Sequence, residues 1–409
     1  MSCSEWKEYS LGDICENIFS GGTPSTKNTN YWNGSIPWLS SGETRNNFIN
    51  STEKTITLDG VNNSSTKLAK KGDIVIASAG QGYTRGQTSF CNIDTYINQS
   101  LIAIRTNNAK IHNKYLYYNL KGRYDELRQL SDGHSIRGSL TTKIIKDLVI
   151  KLPSLEEQEK IANILSSLDD KIELNNEMNK TLEEMAQSIY KRWFVDFEFP
   201  NEDGQPYKSS GGEMVESELG MIPKGWEVKK MKDISNLMMG ISPKSSSYNN
   251  EFMGVPLLNG AGDFYNGNIR PTKYTTEAKR VCSKGDIILS IRGTIGNLNI
   301  SDSEYCLGRS MCSLRGKDDI DNMLIFMYMS RSIEQLKNNA IGSVIVGLSK
   351  PDIEEIIIAY PDYKIRKYMN DILSNLYYRK KHNIEENNNI KDIRKSLLPK
   401  LMTGSISVI

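Results

Sequence analysis

Apolar positions recur in steps of four and three along a segment near the middle of the chain, and this spacing predicts a long helix. The positions of this seam, in order, are Ile161, Leu165, Leu168, Ile172, Asn175, Asn179, Leu182, Ala186, Ile189 and Trp193. A seam sustained over several heptads is typical of a helix whose a and d positions face one partner helix. Pro153, an N-cap at Ser154 and acidic residues at 156 and 157 mark where the helix begins.

A second seam with the same spacing lies 208 residues later, since 369 − 161 = 208. Its positions are Met369, Leu373, Leu376, Lys380, Asn383, Asn387, Ile390, Arg394, Leu397 and Leu401. Lys380 and Arg394 interrupt it, but the paired asparagines recur. An antiparallel coiled coil would place Asn175 against Asn387 and Asn179 against Asn383, as a buried polar layer that fixes the register. The alternative is two separate amphipathic helices, each packed on its own domain.

The two predicted helices carry opposite charge. Residues 154–199 contain 5 Lys and Arg against 11 Asp and Glu, a balance of 5 − 11 = −6, whereas residues 364–400 contain 10 against 4, a balance of +6. Each could be an ordinary solvated surface. Together with the matching seams, the opposite charges favour a pair of helices in contact.

The repeat extends beyond the helices. Residues 6–14 return at 226–234, a shift of 220, and Lys71-Gly72-Asp73-Ile74 returns as Lys284-Gly285-Asp286-Ile287, a shift of 213. Solenoid repeats are only about 20 to 50 residues long, so this period indicates a duplicated domain. Short apolar strands, few helices and many turns in each half predict an α+β fold rather than a doubly wound sheet.

We therefore predict two similar domains of mixed β-sheet with small helices, joined by two long helices in an antiparallel coiled coil with pseudo-twofold symmetry. The boundaries are a first domain at 1–153, a central long helix at 154–199, a connector at 200–222, a second domain at 223–361, and a distal long helix with a C-terminal tail at 362–409. Turn-forming residues dominate the connector, which we expect to lie outside the core.

Composition limits the possible functions. The chain has 409 residues and a net charge of +2, so composition alone does not indicate nucleic-acid binding. Its six cysteines form no Cys-x-x-Cys pair, and no apolar run approaches the roughly 20 residues that span a membrane, so we expect a cytoplasmic protein. There is no P-loop, the glycines of residues 78–86 lack dinucleotide spacing, and the histidines are scattered. We expect no catalysis, no metal and no cofactor in this chain.

The remaining candidate chemistry lies in loops. Lys, Ser and Thr bind phosphates, whereas Arg recognises guanine and Asn or Gln recognises adenine through paired hydrogen bonds. For any one of these residues, an ordinary exposed loop position is the alternative. The candidate DNA-binding residues are Thr23, Ser25, Lys27, Asn28, Gln81, Tyr83, Arg85, Gln99, Ser135 and Arg137 in the first repeat, and Lys244, Ser245, Asn259, Arg292, Thr294 and Arg309 in the second.

At these motifs the chain resembles the specificity subunit of type I restriction–modification enzymes. The resemblance covers essentially the whole chain. It depends on Gly22-Thr23-Pro24-Ser25, the Tyr-Trp-x-Gly run at 31–34, the Lys-Gly-Asp-Ile motif, the Leu-Pro-Ser-Leu-Glu-Glu-Gln run at 152–158, and residues 220–226. The second repeat departs from this pattern, because Tyr-Trp-x-Gly is missing and the Glu-Gln before the second helix has become Lys364-Ile365-Arg366.

The resemblance implies two target-recognition domains that read different halves of an asymmetric, bipartite DNA site. It also implies partners: two methyltransferase subunits that use S-adenosylmethionine to methylate adenine, and motor-nuclease subunits that use ATP and Mg²⁺. A nuclease–methyltransferase enzyme, or a two-armed protein scaffold without DNA affinity, are the alternatives. Salt-dependent DNA binding would separate them.

Overall fold

The structure, a computed structural model, describes residues 6–80, 82–132, 138–265, 267–341 and 347–408. It divides into two compact units. The first comprises residues up to Ile172 together with those from Asn389 onward, and the second comprises Glu173–Asn388. Gln81, Ser135 and Arg137, three of the candidate residues, lie outside the described residues.

The first unit is built from short strands, small helices, the beginning of one long helix and the end of another. Its strands are β1 (Lys7–Ser10), β2 (Cys15–Ser20), β3 (Trp32–Leu39), β4 (Phe48–Ile49), β5 (Lys54–Ile56), β6 (Lys67–Ala69), β7 (Ile74–Ala77), β8 (Thr88–Cys91), β9 (Thr95–Ile97), β10 (Leu101–Thr106) and β11 (Val149–Leu152). Its helices are α1 (Leu11–Ile14), α2 (Leu58–Asn62), α3 (Asn113–Gly122), α4 (Tyr124–Asp132), α5 (Thr142–Lys146) and, up to Ile172, α6 (Leu155–Phe194).

Two mixed sheets form the centre of this unit. One has the order β2-β10-β7-β8-β4, the other β5-β3-β9-β6, and β1 pairs with β11. Most neighbours are antiparallel, but β3 runs parallel to β9 and β4 parallel to β8. The core lies between the first sheet and the helices, where Ile74, Ile104, Tyr117 and Leu165 are buried. The predicted α+β class is confirmed.

The second unit repeats this plan. Its strands are β12 (Met214–Ser217), β13 (Gly220–Pro223), β14 (Glu227–Lys230), β15 (Ser235–Met239), β16 (Tyr248–Asn249), β17 (Val255–Leu258), β18 (Phe264–Tyr265), β19 (Asn268–Ile269), β20 (Lys273–Thr275), β21 (Val281–Cys282), β22 (Ile287–Ser290), β23 (Leu298–Ile300), β24 (Tyr305–Leu307), β25 (Met311–Gly316) and β26 (Ile357–Tyr360). Its helices are the part of α6 from Glu173 onward, α7 (Met231–Ile234), α8 (Asn322–Ile341), α9 (Lys350–Glu354) and, up to Asn388, α10 (Tyr363–Met402), whose end belongs to the first unit.

Its main sheets have the orders β15-β25-β22-β23 and β16-β20-β17-β24-β21. The connector contributes to this unit's core, contrary to expectation. Ile222 is 3% exposed, Tyr207 stacks on Phe199, and Phe199 stacks on Trp226 with ring centroids 5.1 Å apart. Aromatic side chains carry enough apolar area to bury a segment whose backbone is mostly turns.

The repeated Lys-Gly-Asp-Ile motif has a structural cause. Asp73 accepts two hydrogen bonds from Arg105, at 2.7 and 3.1 Å, and Asp286 accepts from Arg315 at 2.5 Å. The preceding glycines have φ of +93° and +91°, a left-handed conformation that favours glycine. The motif is a turn braced by a charge-assisted pair, so its recurrence reflects the shared fold.

The two long helices run antiparallel within each unit. In the second unit, Asn175 donates to Asn387 at 2.9 Å and Asn383 donates to Asn179 at 2.9 Å. All four of these asparagines are buried. As the residue number rises along α6 from 175 to 179, the number of the partner on α10 falls from 387 to 383, as in an antiparallel coiled coil.

The two cations that interrupt the second seam have acidic partners on α6. Lys380 donates to Glu183 at 2.9 Å in the second unit. In the first unit, Arg394 pairs with Asp169, a carboxylate only 2% exposed that also accepts from Tyr118 at 2.9 Å. The opposite charges of the two helices are therefore realised as specific ion pairs.

Candidate nucleic-acid interface

Three loops of the first unit meet at one edge of its sheets: residues 21–28 after β2, 78–87 after β7, and 98–100 before β10. Gly22 N–H donates to the Ile97 carbonyl at 3.0 Å, and Ser78 N–H to the Ser100 carbonyl at 2.8 Å. Asn98 N–H donates to the Leu39 carbonyl, the last residue of β3, at 3.1 Å. We call the described residues of these loops the first loop cluster.

The second unit joins its corresponding loops with the same three hydrogen bonds. These loops are residues 240–247 after β15, 291–297 after β22 and 308–310 before β25, here called the second loop cluster. In this cluster, Ile241 N–H donates to the Leu307 carbonyl at 2.9 Å, Ile291 N–H to the Ser310 carbonyl at 2.8 Å, and Gly308 N–H to the Leu258 carbonyl at 2.8 Å. The backbone frame of the two clusters is therefore the same, whatever side chains they carry.

One glycine in each cluster is required by this close approach. A Cβ on Gly21 would collide with the Ile97 carbonyl, and one on Gly240 would collide with the Gly308 carbonyl. Only glycine lets these strand ends approach so closely. The glycine at the start of the Gly-Gly-Thr-Pro-Ser run is thus explained by the fold.

The candidates of the first cluster fall into two groups. Ser25, Lys27 and Tyr83 are exposed, and Tyr83 is 83% exposed. The others make contacts within the protein: Thr23 donates to Gln99, which is also exposed, Asn28 caps a short helical turn by accepting from Asn30 N–H at 3.1 Å, and Arg85 pairs with Asp132. The Arg85 side chain is only 11% exposed, which favours a role in bracing the loop.

The candidates of the second cluster are more open. Lys244, Ser245, Arg292, Thr294 and Arg309 are exposed. Asn259 is half-buried, and its N–H donates to Asp263 at 2.7 Å. Within the described part of the chain, Lys244, Arg292 and Arg309 have no acidic partner within 4.0 Å. Three exposed cations on a neutral frame create a positive potential that attracts phosphate.

Sequence reasoning missed two carboxylates that cap the segments just after Leu39 and Leu258, the residues whose carbonyls accept hydrogen bonds from the clusters. The buried carboxylate of Glu43 accepts from Ser40 N–H at 2.9 Å and from Glu53 N–H at 2.8 Å, and Asp263 accepts from Gly260 N–H at 3.2 Å. The Ser-x-x-Glu spacing at 40–43 is a capping-box signal that could have revealed the first. Tyr124 and Arg128 of α4 also brace loop 78–87, and no local sequence signal indicates them.

Several buried or half-buried thiols are poor nucleophiles. Burial raises the pKa of Cys15 and of Cys312 to about 12, and the pKa of Cys282 to about 11, so these groups stay protonated near neutral pH. Among the described residues, no group of three metal-ligating side chains comes together. The chemistry of the clusters is that of hydrogen bonding and charge.

Comparison with known proteins identifies the family. The model of the type I restriction modification DNA specificity domain matches residues 3–184 and 223–392, so the chain belongs to this family. Each match covers one repeat. The chain is a DNA-recognition component of a restriction–modification system, with one specificity domain in each half, and is itself non-catalytic.

Individual relatives agree. A putative MjaX specificity subunit of Methanocaldococcus jannaschii is 30% identical over 76% of this chain and 72% of its own length. The MjaIX specificity subunit of the same organism is 27% identical over 99% and 94%, and the HindI specificity subunit of Haemophilus influenzae is 24% identical over 98% and 100%. The crystal structure of a type I S subunit from M. genitalium has a TM-score of 0.69 at 16% identity over 97% and 96% of the two chains, which supports the fold.

No helix within the described ranges is long and apolar enough to cross a membrane.

Proposed function

We propose that each loop cluster reads one half of an asymmetric, bipartite DNA site. The observation that carries this proposal is the contrast within the clusters. Three backbone hydrogen bonds recur at equivalent places, whereas the exposed side chains differ: Ser25, Lys27 and Tyr83 in one, Lys244, Arg292 and Arg309 in the other. A shared frame with different side chains suits two readers of different sequences.

The side chains divide by chemistry. Lys27, Ser25 and Lys244 suit phosphate contacts, which position the protein without reading sequence. Arg292 and Arg309 suit paired hydrogen bonds to guanine in the major groove. This division assigns guanine recognition chiefly to the second cluster.

The helical pair would set the unread spacer between half-sites and dock the methyltransferase subunits, of which we expect two. An exposed apolar stripe on α6 supports the docking role: Leu174 is 53% exposed, Met185 is 46% exposed, and half-buried Met178 lies between them. Positions i, i+4 and i+11 share one helix face. S-adenosylmethionine, ATP and Mg²⁺ would be bound by the partner subunits, and motor-nuclease subunits would join through the complex.

The recognition proposal is tested by modified-base sequencing of the host genome with and without this gene. We expect loss of one methylated motif made of two defined parts with an unread spacer. Unchanged methylation, or loss of a continuous motif, would contradict the proposal.

The docking proposal is tested by the double substitution L174D/M185D, with binding to the methyltransferase subunit measured by size-exclusion chromatography with light scattering. We expect the complex to be lost while the circular dichroism spectrum is unchanged. L58D is the matched control, since Leu58 is 64% exposed and lies outside the long helices. Intact complex with the double variant would refute this surface.

A further inference from the structure

Tyr83 is the most exposed large hydrophobic side chain among the described residues, at 83%. Isolated exposed apolar residues are common, so exposure alone indicates nothing. The significance of Tyr83 comes from how its backbone is held and from what surrounds it.

The loop that carries Tyr83 is braced by α4. Tyr124 Oη donates to the Tyr83 carbonyl at 2.9 Å, and Arg128 donates to the carbonyl of Gly82. Arg85, two residues beyond Tyr83, pairs with Asp132 at the end of the same helix. A side chain mounted on a fixed backbone loses little entropy when it binds, so the tip is preorganised for contact.

The flanks of Tyr83 are narrow. Gly82 and Gly86 have φ of +61° and +86°, and nothing lies within 4 Å of where a Gly82 side chain would begin. Between these two glycines, the side chains besides Tyr83 are those of Thr84 and of Arg85, which is turned inward. The loop therefore presents one aromatic ring on a thin support.

The second loop cluster has no such feature. Its loop 291–297 is shorter, exposes Arg292 and Thr294, and buries both of its isoleucines, Ile291 and Ile295, which are 1% and 8% exposed. The aromatic tip thus distinguishes the first recognition domain from the second.

We propose that Tyr83 is a wedge that inserts its ring between adjacent base pairs of one half-site. This inference rests on the proposed function, in which the first loop cluster faces DNA. Apolar wedges unstack and kink a base step, and flexible pyrimidine–purine steps are the easiest to open. Tyr83 would therefore select a deformable step without hydrogen bonding to its bases.

The test uses the full chain assembled with its methyltransferase subunits and a duplex carrying its methylated site. 2-Aminopurine replaces each adenine of the two half-sites in turn, and its fluorescence reports unstacking. We expect a Tyr83-dependent rise on binding at a step of one half-site only, kept by Y83F and removed by Y83A. Binding should weaken on the order of 10- to 100-fold with Y83A, as expected for loss of one base–aromatic stack.

Base flipping by the methyltransferase subunits also raises this fluorescence, but that signal is independent of Tyr83 and remains with Y83A. F252A is the matched control, since Phe252 is 76% exposed in a turn outside both loop clusters, and it should behave as wild type. The wedge is refuted if no position shows a rise that Y83A removes while the wild-type complex binds. Failure of the wild-type complex to bind would instead overturn the proposed function.

Discussion

The two specificity domains agree in backbone and differ in side chains at their loop edges. In both, the same three hydrogen bonds join the strand ends, and the same aspartate–arginine pair braces the Lys-Gly-Asp-Ile turn. At the edge, one domain presents an aromatic tip and a lysine, and the other presents arginines. The contacts that fold the domain are therefore common to both repeats, whereas the exposed side chains of the loops differ between them.

The starts of the two long helices extend this comparison. Gln158 donates to the Pro153 carbonyl at 3.0 Å, and Arg366, at the equivalent position, donates to the Pro361 carbonyl at 3.2 Å. The contact is kept although the residue type changes. The added positive charge of Arg366 is matched by Asp321, a carboxylate 1% exposed.

The largest expected effect comes from making the second helix start resemble the first. R366Q can keep the contact to Pro361 but leaves Asp321 buried with Tyr360 as its remaining partner, at 2.8 Å. Removing one member of a buried ion pair costs about 3–5 kcal/mol, so the free energy of unfolding in urea should fall by that order. The double variant D321N/R366Q should recover most of it, whereas equal losses in both variants would contradict the pairing.

The loss should depend on pH. Burial raises the pKa of Asp321 above its ordinary value of 3.8, despite Arg366 and Tyr360. Because the pKa of Asp321 is higher in the folded than in the unfolded state, the contribution of this one group to stability is fully present below pH 3.8. That contribution is lost as the pH rises through the folded-state pKa. Removing Arg366 raises that pKa further, so the deficit of R366Q relative to wild type should be smallest in acid and largest near neutral pH. Urea titrations across this range measure it.

The asparagine layer gives a smaller effect. N179L leaves the buried amide of Asn383 without its 2.9 Å partner, which costs about 1–3 kcal/mol. N179L/N383L removes both polar groups and should be close to neutral. Urea unfolding of the two variants compares them. An additive loss in the double variant would show that the pair is not a unit.

A substitution in the second loop cluster should reduce base discrimination in one half-site only. R309A removes an exposed guanidinium but keeps the backbone N–H of residue 309, which donates to Ser242 Oγ at 3.1 Å and holds the loop. Discrimination at one base pair should fall by about 1–3 kcal/mol, as measured by competition with singly substituted duplexes. The substitutions in the other half-site are the internal control, and relaxed discrimination there would contradict the separation of the two readers.

The smallest effect is that of a phosphate contact. K27A should lower the slope of log affinity against log salt by about 1, equally for specific and non-specific DNA. K151A is the control, because Lys151 pairs with Glu8 at 3.4 Å outside the first loop cluster. A sequence-dependent effect of K27A would indicate base contact instead.

Sequence patterns were sufficient to predict the repeat, the fold class and the pairing of the seam asparagines, because each depends on a short-range residue pattern that occurs in both halves of the chain. They were not sufficient for contacts that join distant residues. Arg366 reads as a loss of the first repeat's Gln, although Asp321, 45 residues earlier, lets it keep the same contact. Arg85 reads as a DNA contact, although Asp132, 47 residues later, holds it inward. Likewise, the turn-rich connector lies partly in the core because Tyr207 stacks on Phe199 and Phe199 stacks on Trp226, contacts that no local pattern predicts.

The central claim, that each domain reads its own half-site on a common frame, is tested most directly by exchanging one domain. Residues 223–361 would be replaced by the matching domain of another specificity subunit, and methylated motifs would be read by modified-base sequencing. We predict a new second half-site with the first half-site and the spacer unchanged. A change in both half-sites, or in the spacer, would contradict the account.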